Sequence, residues 1–415
     1  MPAASDTPET AQPGPPPPGN AREVFWAFLR QGLTAFGGPV AHLGYFRREF
    51  VEKRAWLSEA AFADLLGLAQ FLPGPASSQL GMAIGLRRAG YRGLVAAWIG
   101  FTLPAAAAMI ALAYLAPQIS STWGEGWLHG LKIAAAAVVI QALVAMARTL
   151  AVGPIKAGIA IGAGVGVLIA HGSGSAPQIF ALTAGALFGL ALLRDEPPAP
   201  PDDPASHAVP PSVATASLGV AGALLALLPF AAALLASPTL GLASVFYRTG
   251  ALVFGGGHVV LPLLERDIVG RGWLDQDTFL AGYGAVQALP GPLFSFASFV
   301  GAAQTYTTAG WVGGLIAVVA IFLPSLLLVL GVLPFWDRLK GHPNARGALA
   351  GVNAVVVGLL AAALWQPVLT STVERPADWA LVAAAWVFLA IARLPPWLVV
   401  IGFAVATGLV TKVQI

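Results

Sequence analysis

Arg30 in FLRQG and Arg248 in FYRTG place two guanidiniums inside apolar sequence, 218 residues apart (248 − 30). A charged side chain within a hydrophobic segment is costly and marks an ion or substrate pathway. The planar fork of donors suits a tetrahedral oxyanion. Snorkelling to an interface is the plainer alternative for each. A second device repeats beside them. Residues 69–79 read AQFLPGPASSQ and residues 286–296 read VQALPGPLFSF. Proline fits the first position of a helix, where its missing N–H costs nothing. Pro75 and Pro292 therefore each read as a helix start behind a sharp turn. The amides that follow are free donors at the positive end of a helix, a ready anion site. A tight turn in a packed bundle is the plainer reading of either copy.

The candidate substrate-binding set follows from these features. It comprises Arg30 and Arg248, Gly74, Pro75, Ser77 and Ser78 of the first break, and Gly291 and Pro292 of the second. Gln70 and Gln287 stand just before the breaks and either satisfy freed backbone or touch substrate. Lys132 in GLKIAAAA and its repeat counterpart Asn353 in GVNAVVV complete the set, with snorkelling again the alternative for the lysine. Gly37, Gly38 and Pro39 of FGGP read as structural hinges, as do Gly255, Gly256 and Gly257 of FGGG, Pro73 and Pro290. His42 and His258 lie near the FGGP and FGGG breaks but not at matching repeat positions. Each reads as a satisfied, hydrogen-bonded histidine, with titration near neutral pH the alternative. Asp64 is the one carboxylate inside the first hairpin.

Composition narrows the chemistry. Of 415 residues, 57% are hydrophobic and 10% charged, with a mean hydropathy of +0.77. Soluble domains carry about 25% charged residues, so the chain reads as an all-α, polytopic integral membrane protein. The absence of cysteine excludes disulfides and thiolate metal sites. No metal, cofactor or nucleic-acid partner is expected; the partners are a small anion and the lipid bilayer, with a homodimer left open. No Walker A pattern occurs, so transport is not driven by an ATPase on this chain. An integral membrane enzyme is the competing class, with His171 beside the Gly-Ser-Gly-Ser of 172–175, but no acid matches them and the stretch reads as a loop.

The elements that must position these residues come in two copies. FLRQGLTAFGGP (28–39) aligns with FYRTGALVFGGG (246–257), WLSEAAF (56–62) with WLDQDTF (273–279), GYRG (90–93) with GWVG (310–313), and TLP (102–104) with FLP (322–324). A Pro-rich tail (1–23), with no secretory signal peptide, precedes the first repeat (24–193). A Pro/Asp-rich linker (194–212) and a linking transmembrane helix (213–243) lead to the second repeat (244–415). Apolar runs at 93–116, 131–149, 154–171, 176–193, 213–236, 310–335, 347–367 and 396–412 are expected to span a bilayer; 378–392 is marginal. Segments 57–72 and 75–88 give helices of roughly 20–24 Å, short of a ~30 Å core, and read as a re-entrant hairpin. Basic residues flank the first hairpin, but in the second half they lie one span later, at Arg338, Lys340 and Arg346. That swap predicts two halves in inverted topology.

With these motifs in order (FGGP, W-L-x-x-x-x-F, Q-x-L-P-G-P and G-Y-x-G), the chain resembles the chromate transporter family in its long two-domain form. The likeness runs over about 24–412, and FGGG in place of FGGP is the departure. The resemblance implies secondary active efflux of chromate across the bacterial inner membrane, with chromate resistance. Sulfate or a general oxyanion is the alternative substrate.

Overall fold

A computed structural model describes residues 19–170, 176–193, 209–254 and 257–414, and every regular element among them is helical. The first half holds α1 (Ala21–Thr34), α2 (Gly38–Phe46), α3 (Glu59–Phe71), α4 (Ala76–Trp123), α5 (Gly126–Leu150), α6 (Pro154–Ile169) and α7 (Ala176–Leu192). A helix α8 (Pro211–Leu234) stands between the halves. The second half holds α9 (Pro238–Leu252), α10 (Val260–Ile268), α11 (Gln276–Val286), α12 (Phe296–Ala303), α13 (Gly310–Val332), α14 (Trp336–Lys340), α15 (Pro343–Ala363), α16 (Thr370–Thr372), α17 (Pro376–Ala390) and α18 (Pro396–Gln414). Gly255, Gly256, the 171–175 loop, and most of the tail and linker lie outside the described residues.

The repeat is legible in local structure. Ser58 and Asp275 cap α3 and α11 by accepting the amides of Ala61 and Thr278. Each of these helices then ends at a Pro-Gly-Pro turn. After the first turn, α4 runs to Ala89 and Gly90, where φ of −145° and +61° break it into two arms. The arms fold against each other where Gly85 meets the Gly93 backbone. In the second half, α12 and α13 meet through Gly301 and Gly313 in the same way. A side chain at any of these four positions would hold the backbones apart.

The two halves interlock. Helices α6 and α7 of the first half pack on α15 of the second, and α17 and α18 of the second pack on α5 of the first. Glycine permits both contacts. Gly185 and Gly189 of α7 lie against Gly347 and Gly351 of α15, while Gly126 and Gly130 of α5 lie against Phe403, Thr407 and Thr411 of α18. The G-x-x-x-G rows of α7 and α15 bring their two backbones together, while the row of α5 makes room for the Thr407 and Thr411 side chains of α18.

Five helical stretches are long and apolar enough to cross a bilayer: Ala76–Thr122, Gly126–Leu150, Pro211–Leu234, Gly310–Lys340 and Pro343–Thr372. Helices α6 and α7 are shorter than their apolar runs predict, with 16 and 17 residues, or about 24–26 Å at the α-helical rise. They cover the face of α15 rather than standing alone. Helix α8 contributes little to the core: only 6% of its apolar window is buried. The centre is aromatic, with Phe28, Phe46, Phe50 and Phe101 on one side and Phe279, Tyr283, Phe294 and Phe296 on the other.

Candidate functional site

Helices α1 and α9 stop short, at Thr34 and Leu252, and leave carbonyls that no further helical turn can satisfy. Each is closed by the other half. The Gly74 amide donates to the Val253 carbonyl at 2.6 Å, and the Gly291 amide donates to the Ala35 carbonyl at 3.1 Å. The two carbonyls occupy matched repeat positions, as do the two glycines. With φ of +124° and +103°, both glycines hold conformations that a Cβ disfavours. The Pro-Gly-Pro turns thus cross at the centre of the protein, each plugged into the helix end of the opposite half.

The first crossing is polar. No side chain caps α4 behind Pro75, so its first-turn amides are free donors. Ser77, Ser78 and Gln79 of that turn are all at least 98% buried. Gln79 Nε2 donates to the Pro73 carbonyl at 2.6 Å and to Ser325 Oγ at 3.3 Å. The Ser78 hydroxyl and Gln79 Oε1 are buried without a partner. Buried polar atoms are rarely left so, and unmet ones at the crossing suit a polar ligand. His42 joins this cluster: its Nε2 lies 3.1 Å from the Ala35 carbonyl and its Nδ1 3.3 Å from Ser77 Oγ. The sequence pointed away from His42, because its repeat position holds Val260. The signal that could have found it was a histidine in an apolar run three residues past a Gly-Gly-Pro break.

The second crossing differs. Pro292 leads into a 3-10 turn, Leu293–Ser295, before α12 begins. Leu293, Phe294 and Phe296 stand where the first copy has Ala76, Ser77 and Gln79, while Ser295, the counterpart of Ser78, keeps a buried and unpartnered hydroxyl. His258 Nδ1 lies 2.7 Å from the Tyr283 hydroxyl. The side-chain nitrogen of Gln287 is buried without a partner, whereas its counterpart Gln70 is exposed. The matched glutamines therefore have different surroundings.

Two expectations about charge need correction. Arg30 is exposed, not buried. Helix α1 buries the stripe Val24, Ala27, Phe28 and Gln31, which turns Arg30 outward beside Trp26. Arg248 is not a free guanidinium, because it forms an ion pair with Asp267, which also holds Arg271 at 3.3 Å. The matching carboxylate of the first half, Glu49, takes Arg54 and Lys53 instead. Lys132 is 97% buried. Its ammonium meets Asp277 at 2.9 Å, the Ser371 carbonyl at 3.1 Å and Glu374 at 3.1 Å, on the wall of a cavity of about 1110 Å³ that also admits His129 and Arg375. Asn353, its repeat mate, keeps Oδ1 unpartnered. Asp64 is likewise spoken for, by Trp336 Nε1 at 2.8 Å and Lys340 Nζ at 2.9 Å. Of the hinge residues, Gly37 and Gly38 have φ of +99° and +75°. Pro39 falls within α2, and Gly257 opens a short 3-10 turn.

The motif order has its counterpart among known proteins. The family described as chromate transporter matches residues 22–190 and again 240–409. A chromate transport protein of Pseudomonas aeruginosa is 33% identical over 360 residues, covering 84% of this chain and 81% of the relative. A probable chromate transport protein of Synechococcus elongatus is 28% identical over 343 residues, 81% of this chain and 82% of its own. A chromate transport protein of Cupriavidus metallidurans is 27% identical over 358 residues, 86% and 84% respectively. No solved structure matches the chain. Each matched stretch carries one Pro-Gly-Pro turn of the crossing, and the chain belongs to the chromate transporter family.

Proposed function

We propose that this multi-pass membrane protein is a secondary active exporter of chromate in the bacterial inner membrane, and that the oxyanion binds at the Pro-Gly-Pro crossing. The repeats 24–193 and 244–415 act as inverted halves, with 213–243 supplying the flip. The observation that carries the reading is the uncapped start of α4, with Ser77, Ser78 and Gln79 buried around it. Amide and hydroxyl donors in a buried setting favour a tetrahedral anion over a cation. The Gly74 and Gly291 amides hold the crossing together and are not themselves free for substrate. The site is asymmetric, with the first half supplying most of the polar groups.

Electrostatics gives a driving force. One charge crossing 100 mV is worth about 2.3 kcal/mol, so a dianion leaving a negative interior gains roughly twice that. The test is chromate uptake into inside-out vesicles under an imposed potential without a pH gradient. Uptake is the expected result. Uptake only with an added pH gradient replaces potential drive by proton coupling, and no uptake under either overturns chromate export. Excess sulfate is expected to compete weakly; equal competition makes the site a general oxyanion carrier.

A further inference from the structure

We propose that His42 is a positioning residue that ties oxyanion binding at the crossing to the uptake of one proton. The proposal rests on reading that crossing as the substrate site. His42 is fully buried, edge-on to Phe101, and hydrogen-bonded at both ring nitrogens. Its Nε2 faces the Ala35 carbonyl, which can only accept, so Nε2 carries the proton. In the neutral ring, Nδ1 is then an acceptor and takes the Ser77 hydroxyl proton. A serine has one such proton, so Ser77 has no donor left for an anion at the α4 start.

A proton added at Nδ1 reverses that hydrogen bond. Nδ1–H donates to Ser77 Oγ, the Ser77 O–H is released to donate to the oxyanion, and the site gains a positive charge. The Ala35 carbonyl that anchors Nε2 is also the acceptor of the Gly291 amide. The ring thus contacts the turn of its own half and the anchor of the other, so its state is felt at both.

Charged neighbours do not supply an alternative proton site. Helix α2 packs on α4 and on the following turn Arg47–Lys53. That turn carries Arg47, Arg48, Glu49, Glu52 and Lys53, and α4 carries Arg87, Arg88 and Arg92. Arg47 is held by Glu59 and Glu52, Glu49 by Arg54 and Lys53, and Arg88 by Glu23. The ring's described contacts are Ala35, Ser77 and Phe101 alone. Burial without a counter-charge keeps the ring of an empty site neutral, and a bound dianion supplies the counter-charge.

Between the pH at which the empty-site ring loses its proton and the higher pH at which the anion-bound ring does, binding takes up a proton, and apparent affinity falls by about tenfold per pH unit. Glutamine is the discriminating replacement: its amide can donate to Ala35 and its carbonyl can accept from Ser77, yet it takes no proton. The experiment measures the KM for chromate in inside-out vesicles from mildly acidic to alkaline pH, as the ratio of wild type to His42→Gln so that protonation of chromate itself cancels. The ratio is expected to rise by about tenfold per pH unit between the pKa of the empty-site ring and that of the anion-bound ring. A flat ratio overturns the role of His42. Should His42→Gln fail to fold, purified wild-type protein still reports: chromate addition, titrated from mildly acidic to alkaline pH, should remove up to about one proton per bound anion, and no proton uptake at any pH overturns the proposal. Ser78→Ala separates the two layers. A raised KM in Ser78→Ala together with a flat His42 ratio removes His42 alone, whereas an unchanged KM in Ser78→Ala overturns the crossing as the substrate site and the proposal with it.

Discussion

The amide of Gly74 lies 2.6 Å from the carbonyl oxygen of Val253, so a turn from one half closes a helix end in the other. The same bond recurs between Gly291 and Ala35 at 3.1 Å. A break in a membrane helix leaves backbone groups that lipid cannot satisfy. Here two broken regions satisfy each other, and neither half can form its centre alone.

This arrangement makes the two glycines unequal. Positive φ at a non-glycine residue costs roughly 1–3 kcal/mol. A Cβ on Gly74 would in addition run into Ser325 Oγ and approach Gln79 Nε2 at 2.7 Å, whereas a Cβ on Gly291 meets nothing closer than 3.2 Å. Gly74→Ala is expected to lower the melting temperature further than Gly291→Ala, and both should reduce chromate flux. Adding Ser325→Gly should recover part of the Gly74→Ala loss. Equal melting temperatures for the two alanine variants would contradict the packing argument.

Arg30 and Arg248 share a repeat position but not a role in packing. Removing Arg248 takes one partner from the buried Asp267 while Arg271 remains, a loss of roughly 1–3 kcal/mol. Arg30→Ala removes an exposed side chain and should stay within about 0.5 kcal/mol. Thermal melting distinguishes them, and flux then becomes interpretable. Lost chromate flux in a stably folded Arg30→Ala places Arg30 on the substrate path, and normal flux removes it.

The breaks themselves were readable because proline and glycine act locally: the turns at Pro73-Gly74-Pro75 and Pro290-Gly291-Pro292 follow from backbone chemistry at those residues. Charge was harder to read. Sequence position shows that Lys132 is in apolar surroundings, but its two carboxylates come from 145 and 242 residues further along. The outward face of Arg30 depends on which stripe of α1 meets α4. The exchange of the terminal hairpins between halves left only G-x-x-x-G rows as a trace, and those rows do not name their partner.

That exchange predicts paired defects. Gly351→Val would push α15 off the backbone of α7 at Gly185, and Gly130→Val would push α5 off α18 at Phe403. Both should deplete the protein from the membrane fraction. Gly162→Val is the control, since nothing lies within 4 Å of its Cβ position, and it should accumulate normally. Normal accumulation of Gly351→Val and Gly130→Val would mean that the hairpins are not what joins the halves.

Lys132 offers a test of structural against substrate roles. Its side chain is 3% exposed, while Asp277 and Glu374 are 57% and 59% exposed, so the lysine needs the carboxylates more than they need it. Asp277→Asn or Glu374→Gln alone leaves one counter-charge and should cost within about 1 kcal/mol. Together they leave a buried ammonium with only the Ser371 carbonyl, and the cost should rise to about 3–5 kcal/mol. A double-mutant cycle in thermal or denaturant unfolding measures that excess. Adding Lys132→Asn, which copies Asn353, should recover much of it by removing the stranded charge. The same variants weigh the substrate role. A lysine that grips anion must release a carboxylate first, so Asp277→Asn would then lower the KM for chromate. With Lys132 acting as a tie between α5, α11 and the chain before α17, that KM should not move.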